Sequence, residues 1–308
     1  MIALRKRALL RAVRSNAVLF GLTVPALLYF LIFHYLPMVG VVLAFKDYKY
    51  SLGILGSEWI GFTNFKFFFT SQDAWRITRN TVGYSSAFIV LGNAAAIFVA
   101  LLLYEVRSRA ALKYYQTTMI LPRFLSWVLV SYISYTLLSP TMGVFNQALE
   151  GLGFEPVTWY SEAKVWPYLI ISFEMWKTVG LSSIIYYAAL MSIDNELFEA
   201  ARIDGANRWR QVWAISIPSL TPVMTILVIL AIGGLFRGDF GLFYQLPRDV
   251  GALYPTTDII DTYVYRGLRN GDIGMTAAVG LFQSVVGLAL ILIANGIIRK
   301  VKPENAIF

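Results

Sequence analysis

Three ionisable residues of this 308-residue chain stand inside strongly apolar runs: Arg123 in "ILPRF", and Glu174 and Lys177 in "FEMWKTVG". A charge in such surroundings is costly and is kept where it faces a cavity or a counter-charge. Glu174 and Lys177 are three residues apart on one helix face, so the expected arrangement is a local pair that neutralises itself. Direct contact with a solute is the competing arrangement. Arg123 is expected to snorkel toward an interface. A second polar feature is the charge-dense stretch "ELFEAARIDGANRWRQVWAISIP" at residues 196–218, which lies between two greasy runs. Bond-making chemistry has little to work with. There is no cysteine and only one histidine, His34, and no HExxH, GxSxG or DxD pattern is present. A GxxxxGK[ST] phosphate loop is also missing, so this chain carries no ATP site of that kind.

The elements that hold these residues follow from composition. Hydrophobic residues make up 57% and charged residues 14%, against about 25% charged in an ordinary soluble domain. The fold class is therefore all-α integral membrane. A bilayer core needs about 20 apolar residues in helical form, which places six transmembrane helices at roughly 17–44, 81–103, 118–139, 165–190, 218–236 and 273–297. The first span is too long for the h-region of a secretory signal, and no A-x-A-like site closes it. His34 falls near its outer end, where an interfacial hydrogen bond is expected. One integral membrane domain, residues 1–308, accounts for the chain.

The net charge of +8 suits basic cytoplasmic loops better than nucleic acid in a chain this apolar. Arg5, Lys6, Arg7, Arg11 and Arg14 precede the first span; Arg107, Arg109 and Lys113, then Arg202, Arg208 and Arg210, then Arg299, Lys300 and Lys302 fall in alternate loops. These outnumber the cations of the longer, more acidic segments on the other side. Both termini are thus expected in the cytoplasm, with a cytoplasmic loop at 191–217 between the fourth and fifth spans. The stretch "KDYKYSLGILGSEWIGFTNFKFFFTSQDAW" is expected on the outer side, either as a folded cap or as an interfacial aromatic belt.

Within the 191–217 loop, Glu196 and Glu199 suit the opening turns of a short helix that Ser192 or Asp194 can cap. Leu197, Ala200 and Ala201 give it a small, flat apolar side. Gly205 can end it with a positive φ. A second helical segment carries Trp209 and Trp213 four residues apart, and Pro218 opens the fifth span. Alanines allow close approach of another protein but grip lipid poorly, so this helix reads as a docking element.

Glu199, Ala200 and Ala201, then three residues, Gly205, nine residues, Ile215, and an aliphatic residue before Pro218 resemble the EAA motif of binding-protein-dependent ABC importer permeases. Ile217 stands where the usual form has leucine. "IDGA" and "WKTVG" resemble the carbohydrate branch of that family. "LGSEWIGFTNFKFFF", "YPTTDIIDTYVYRGL" and the last span are similar to its LplB-like subgroup, permeases for oligosaccharides and polysaccharide fragments. The resemblance implies the type I ABC importer transmembrane fold, with the EAA helix as a coupling helix seated in a cytoplasmic ATPase. In that role Glu199 contacts the ATPase, Ala200 and Ala201 permit close packing, Gly205 sets the turn and Pro218 begins the next span. It also implies the partners: a second, different permease, two ATPase subunits holding ATP and magnesium, and an external solute-binding protein. This chain itself would need no cofactor and no metal. The alternative is an ion-coupled secondary transporter, which would more often show an internal repeat and broken helices near midplane.

Sugars are bound by aromatic faces and planar polar groups. The candidate pathway residues are Arg123, Tyr132, Tyr135, Glu174, Trp176, Lys177 and Tyr186. Arg123, Lys177 and Arg237 could offset uronates, while Glu174 and the outer-loop acids suit a neutral cargo, so both cargo types stay open.

Overall fold

The computed structural model describes residues 16–141 and 143–301. The basic cluster Arg5, Lys6, Arg7, Arg11 and Arg14, and Lys302, lie outside the described residues. The described residues form two compact units, one made of residues 16–68 with Gly271–Leu281, the other of Phe69–Asn270 with residues 282–301. One-turn helices are named below by their residues.

In the first unit, α1 (Ala17–Phe30) continues through a π-turn at Leu31–Tyr35 and a 3-10 segment at Leu36–Phe45. The change of winding precedes and includes Pro37, which has no N–H to give to a regular ladder. Its large side chains are exposed along almost the whole length. That surface matches hydrocarbon or another apolar subunit. A two-stranded hairpin follows, β1 (Lys46–Asp47) against β2 (Glu58–Trp59), antiparallel, with Lys46 opposite Trp59. Trp59 stacks on Phe45 at 5.6 Å between centroids. α2 (Thr63–Thr70) begins beside it, and Asn64 Nδ2 donates to the carbonyls of Ala44 and Lys46 at 3.0 and 3.1 Å. The stretch after the first span is thus a folded hairpin and helix.

The second unit is built on α3 (Gln72–Tyr104), which starts nine residues before the expected second span because Ser71 accepts from the Ala74 N–H and caps it. α4 (Arg109–Ile120), a 3-10 turn at Leu121–Phe124 and α5 (Trp127–Leu138) replace the single helix expected at 118–139. The two halves are bent by 97°. Pro122 stops the first helix, and the Ser126 hydroxyl, accepting from the Leu129 N–H at 3.2 Å, starts the second. After α6 (Val144–Gly151), α7 (Trp166–Met191) runs along α3 and packs closely on α4. Gly180 is what permits this: a Cβ there would lie 1.9 Å from the Met119 carbonyl oxygen.

α8 (Asn195–Ile203) and a one-turn helix at Arg208–Gln211 form a hairpin whose second arm is the first turn of the fifth span. That span runs unbroken from Arg208 to Gly233, through a π-turn at Val212–Ser216 into α9 (Ile217–Gly233). Pro218 therefore lies inside a continuous helix and does not open it. The wider π-turn just ahead of it takes up the carbonyls that a proline cannot serve. α10 (Phe240–Gln245), α11 (Ile260–Asn270) and α12 (Ile273–Val301) complete the described chain. α9 and α12 approach through glycine, since a Cβ on Gly287 would meet the Gly233 carbonyl at 2.9 Å.

Among the described residues, four helices are long and apolar enough to cross a membrane, five if the bent pair is one span. The remaining expected span coincides with α7, whose 26 residues give about 39 Å of helix, enough to cross. Glu174 and Lys177 lower its apolar character.

The loop between α10 and α11 is fixed to the start of α3 by buried polar groups. Asp258, fully buried, accepts from Arg76 Nη2 at 3.0 Å, Arg266 Nη2 at 2.6 Å and Thr262 Oγ1 at 2.8 Å. Asn80 Nδ2 and Tyr84 Oη donate to the carbonyls of Asp258 and Thr256, and the Ile260 N–H donates to Thr81 Oγ1. Behind this seam Tyr84, Val130, Trp166, Ile170 and Phe243 form the larger apolar core.

Candidate functional sites: a surface hairpin and an intramembrane polar cavity

The hairpin at 194–216 is held in shape by its ends. Asp194 is the N-cap of α8, its side chain accepting from the Glu196 N–H at 3.0 Å. At the other end the Gly205 N–H donates to the Arg202 carbonyl (3.0 Å) and the Ala206 N–H to the Ala201 carbonyl (2.8 Å). Gly205 has φ +76°. This pair of bonds is the Schellman arrangement, which needs a left-handed residue at the position glycine occupies. Asn207 then caps the next turn through the Arg210 N–H, and Gln211 Nε2 donates back to the Ala206 carbonyl.

Only Phe198 of α8 is buried, against Tyr104 at the end of α3. Arg208 Nη1 pairs with Glu105 Oε1 at 3.0 Å, a second tie to α3. Glu199 and Ala200 are exposed, Ala201 is half-buried, and Ile203 is 87% exposed. The helix therefore faces outward with the small, flat side expected of it. Trp209 and Trp213 also point away from the chain.

The second site surrounds Glu174. Its Oε2 is shielded from solvent and has no hydrogen-bond partner. It faces a cavity of about 210 Å³ whose wall includes Tyr84, Phe88, Arg237, Asp239 and Phe243. Asp239 caps α10 through the Leu242 N–H (3.2 Å), and its other oxygen accepts from Trp127 Nε1 at 2.6 Å. Lys177 Nζ sits 4.0 Å from the centroid of the Trp127 ring. Arg123, Lys177 and Asp239 are all within electrostatic range of Glu174. Beside the cavity the Gly238 N–H donates to Asp261 Oδ2 at 2.7 Å. Burial pushes the Asp261 carboxyl above the usual carboxylate range, against the hydrogen bonds from Gly238 and Gln283.

Several expectations change here. Glu174 and Lys177 remain in electrostatic range of one another but make no direct salt bridge among the described residues: the lysine Nζ sits on the indole face of Trp127, a cation–π contact that a neighbouring helix supplies. Tyr186 is fully buried between α3 and α9, its hydroxyl donating to Asn93 Oδ1 at 2.5 Å, so it has no ring face for a solute. The Arg248 guanidinium lies over one face of Tyr135, 4.2 Å from its centroid, and the ring stays partly exposed. Arg248 and Asp249 both have positive φ, +58° and +52°, a strained pair. It aims Arg248 at Tyr135 and Asp249 at the Tyr254 hydroxyl (2.9 Å). Arg123, Tyr132 and Trp176 are exposed. His34 is exposed in the π-turn of the first span, its ring 5.2 Å from Phe30.

Trp127 and Asp239 were not singled out by sequence, yet they organise the cavity. The available signal was an acid at the exit of an apolar span followed by an aromatic run, "GDFGLFY", which is an N-cap pattern. Nothing in the sequence pairs it with a tryptophan 112 residues away.

Comparison with known proteins agrees with this geometry. Protein LplB of Bacillus subtilis is 39% identical over 295 residues, covering 96% of this chain and 92% of that protein. The polygalacturonan/rhamnogalacturonan transport system permease protein YteP of the same organism is 37% identical over 98% of this chain and 93% of its own length. Among solved structures, a chain of a bacterial ABC transporter involved in import of the acidic polysaccharide alginate superposes with a TM-score of 0.88 at 33% identity, covering 96% of this chain and 99% of that one. A second structure, of a bacterial alginate ABC transporter in complex with its alginate pentasaccharide-bound periplasmic protein, gives 0.86 at 33% identity, over 94% and 97% of the two chains. Residues 92–303, which include the hairpin, Glu174 and Asp239, match the binding-protein-dependent transport system inner membrane component family, and the chain belongs to it.

Proposed function

We propose that the chain is one of two different permease subunits of an ATP-driven importer for oligosaccharides or polysaccharide fragments. The single observation that supports coupling best is the hairpin: its fixed ends leave Glu199 and Ala200 on an outward face that nothing among the described residues covers. A cytoplasmic ATPase subunit seats on that face, with Glu199 as its polar contact, Ala200 and Ala201 allowing close approach, and Gly205 holding the turn. The π-turn and Pro218 carry the movement along the fifth span. Two such ATPase subunits bind ATP and magnesium, and an external solute-binding protein delivers the cargo. Both termini and the 191–217 loop lie in the cytoplasm.

The cargo passes the Glu174 cavity. A carboxylate oxygen with no partner of its own is available to sugar hydroxyls, with Arg123 and Lys177 in electrostatic range, and the exposed rings of Tyr132 and Trp176 are the stacking groups proposed for other points of the path. The names of the relatives support a polysaccharide-derived cargo, and those of YteP and the alginate transporter direct attention to uronate-containing chains. Ion-coupled transport has no comparable support.

The test is reconstitution of the assembled transporter in liposomes, with the binding protein loaded in turn with neutral and uronate-containing oligosaccharides. The expected result is ATP hydrolysis and uptake stimulated by one of these classes, and loss of both in Glu199→Ala with normal membrane insertion. Wild-type stimulation and uptake in Glu199→Ala would remove the coupling role.

A further inference from the structure

Behind the hairpin lies a cavity of about 340 Å³, within the size range of small-molecule sites. Most of its wall is apolar: Phe98 and Leu102 from the end of α3, Phe198 from α8 and Val212 from the π-turn. Phe98 and Leu102 are themselves exposed, so the cavity opens sideways along the surface of two spanning helices. Its polar rim is cationic. Among the described residues, Arg202 and Arg208 line it with a single acid, Glu105, which Arg208 already engages at 3.0 Å. Arg107, Arg109 and Arg210, all exposed, flank these residues in the chain. Trp209, on the same rim, and Trp213 are 72% and 67% exposed, as aromatic residues at a membrane–water boundary are.

We propose that this cavity binds an anionic phospholipid, with an acyl chain along Phe98 and Leu102 and the phosphodiester on the Arg202 and Arg208 guanidiniums. The apolar wall matches hydrocarbon, which is the medium at that depth. Two rim cations against one acid leave one positive charge for a monoanionic headgroup. Guanidinium groups suit phosphate because they donate paired, parallel hydrogen bonds, and basic pockets between helices at the cytoplasmic side are a recurring site for anionic lipid. Phe198 is the one buried residue of α8 and also lines the cavity. An occupied cavity therefore braces the hairpin against α3, so that lipid composition adjusts how firmly the docking helix is held. The inference rests on placing the 191–217 loop at the cytoplasmic surface.

The test uses the assembled transporter in nanodiscs made of phosphatidylcholine with a minor fraction of phosphatidylglycerol. Lipid that stays bound after exchange into detergent is read by native mass spectrometry, and its position by a phosphatidylglycerol carrying a photoreactive acyl chain. Neither readout needs transport, so they stand apart from the importer reading. The expected result is selective retention of phosphatidylglycerol, cross-links in the 98–105 and 198–212 segments, and loss of both in Arg202→Gln/Arg208→Gln. Leu102→Trp, which fills the apolar part and leaves the cations, is expected to lose the cross-link too. Equal retention of the two lipids overturns the proposal, as does unchanged phosphatidylglycerol binding in both variants. Full competition by soluble glycerol phosphate overturns the lipid as occupant and leaves a headgroup site only. Exclusion of phosphatidylglycerol whenever the ATPase subunits are bound assigns the cavity to their socket and also overturns it.

Discussion

Gly205→Ala isolates what the turn of the surface hairpin contributes. Gly205 has φ +76°, and a Cβ built on it meets nothing within 4 Å. A side chain there therefore clashes with nothing among the described residues, and the penalty is backbone strain, about 1–2 kcal/mol for an L-residue held left-handed. Escaping the strain would break the bonds from the Gly205 and Ala206 N–H groups, each worth about 0.5–1.5 kcal/mol. Holding the strained turn and abandoning it thus cost similar amounts. Part of the loss is offset because alanine also restricts the unfolded chain, by about 0.4–1 kcal/mol. The net is about 1 kcal/mol, a roughly fivefold fall in the population of formed hairpin. Asparagine tolerates the left-handed region, so Gly205→Asn is expected to lose less than alanine, and β-branched Gly205→Val more. Binding-protein-stimulated ATP hydrolysis in proteoliposomes should follow the order Gly, Asn, Ala, Val, while hydrogen exchange at the Ala206 amide rises in the same order. Equal losses in Asn and Ala, or a fully coupled Val variant, would refute the argument from φ.

Three other substitutions test the remaining geometry. Gly180→Ala places a Cβ 1.9 Å from the Met119 carbonyl oxygen, so it should destabilise by about 3 kcal/mol, at the upper end of overpacking; Gly83→Ala in open space is the control, and equal thermal unfolding temperatures for the two in detergent would contradict the close helix approach. Asp258→Asn leaves the Arg76 and Arg266 guanidiniums facing each other across a fully buried side chain; because both arginines are partly exposed the cost is expected near 2–3 kcal/mol, below that of a fully buried pair, and an unchanged unfolding temperature would show that the seam between α3 and the loop joining α10 to α11 is not electrostatic. Glu174→Gln keeps the shape of the cavity but removes the charge, and should lower uptake about tenfold, the worth of one hydrogen bond to a charged group, with no loss of stability; undiminished uptake would take Glu174 out of the pathway.

Much of this protein is local physics, and that part was readable in advance. Apolar runs of about 20 residues place the membrane helices whatever surrounds them. The hairpin was equally legible, because caps and turns are set by neighbours in sequence: Asp194 caps the helix and Gly205 ends it with positive φ. The break at Pro122 was written in the chain as well, but the length of the apolar run concealed it. The polar cavity was legible only as a set of charges. Which partner each charge takes is a matter of distant segments. Lys177 was expected to meet Glu174 three residues away, yet it sits over Trp127, whose indole N–H is held by Asp239 from a loop much later in the chain. Tyr186 looked the same in sequence as Tyr132, and packing made one core and the other surface. Sequence alone determined where the helices run and how the hairpin is capped, since backbone hydrogen bonding and hydrophobic burial act over a few residues. Only the tertiary structure decided which carboxylate is left without a partner, because that depends on which side chains from separate helices reach it first.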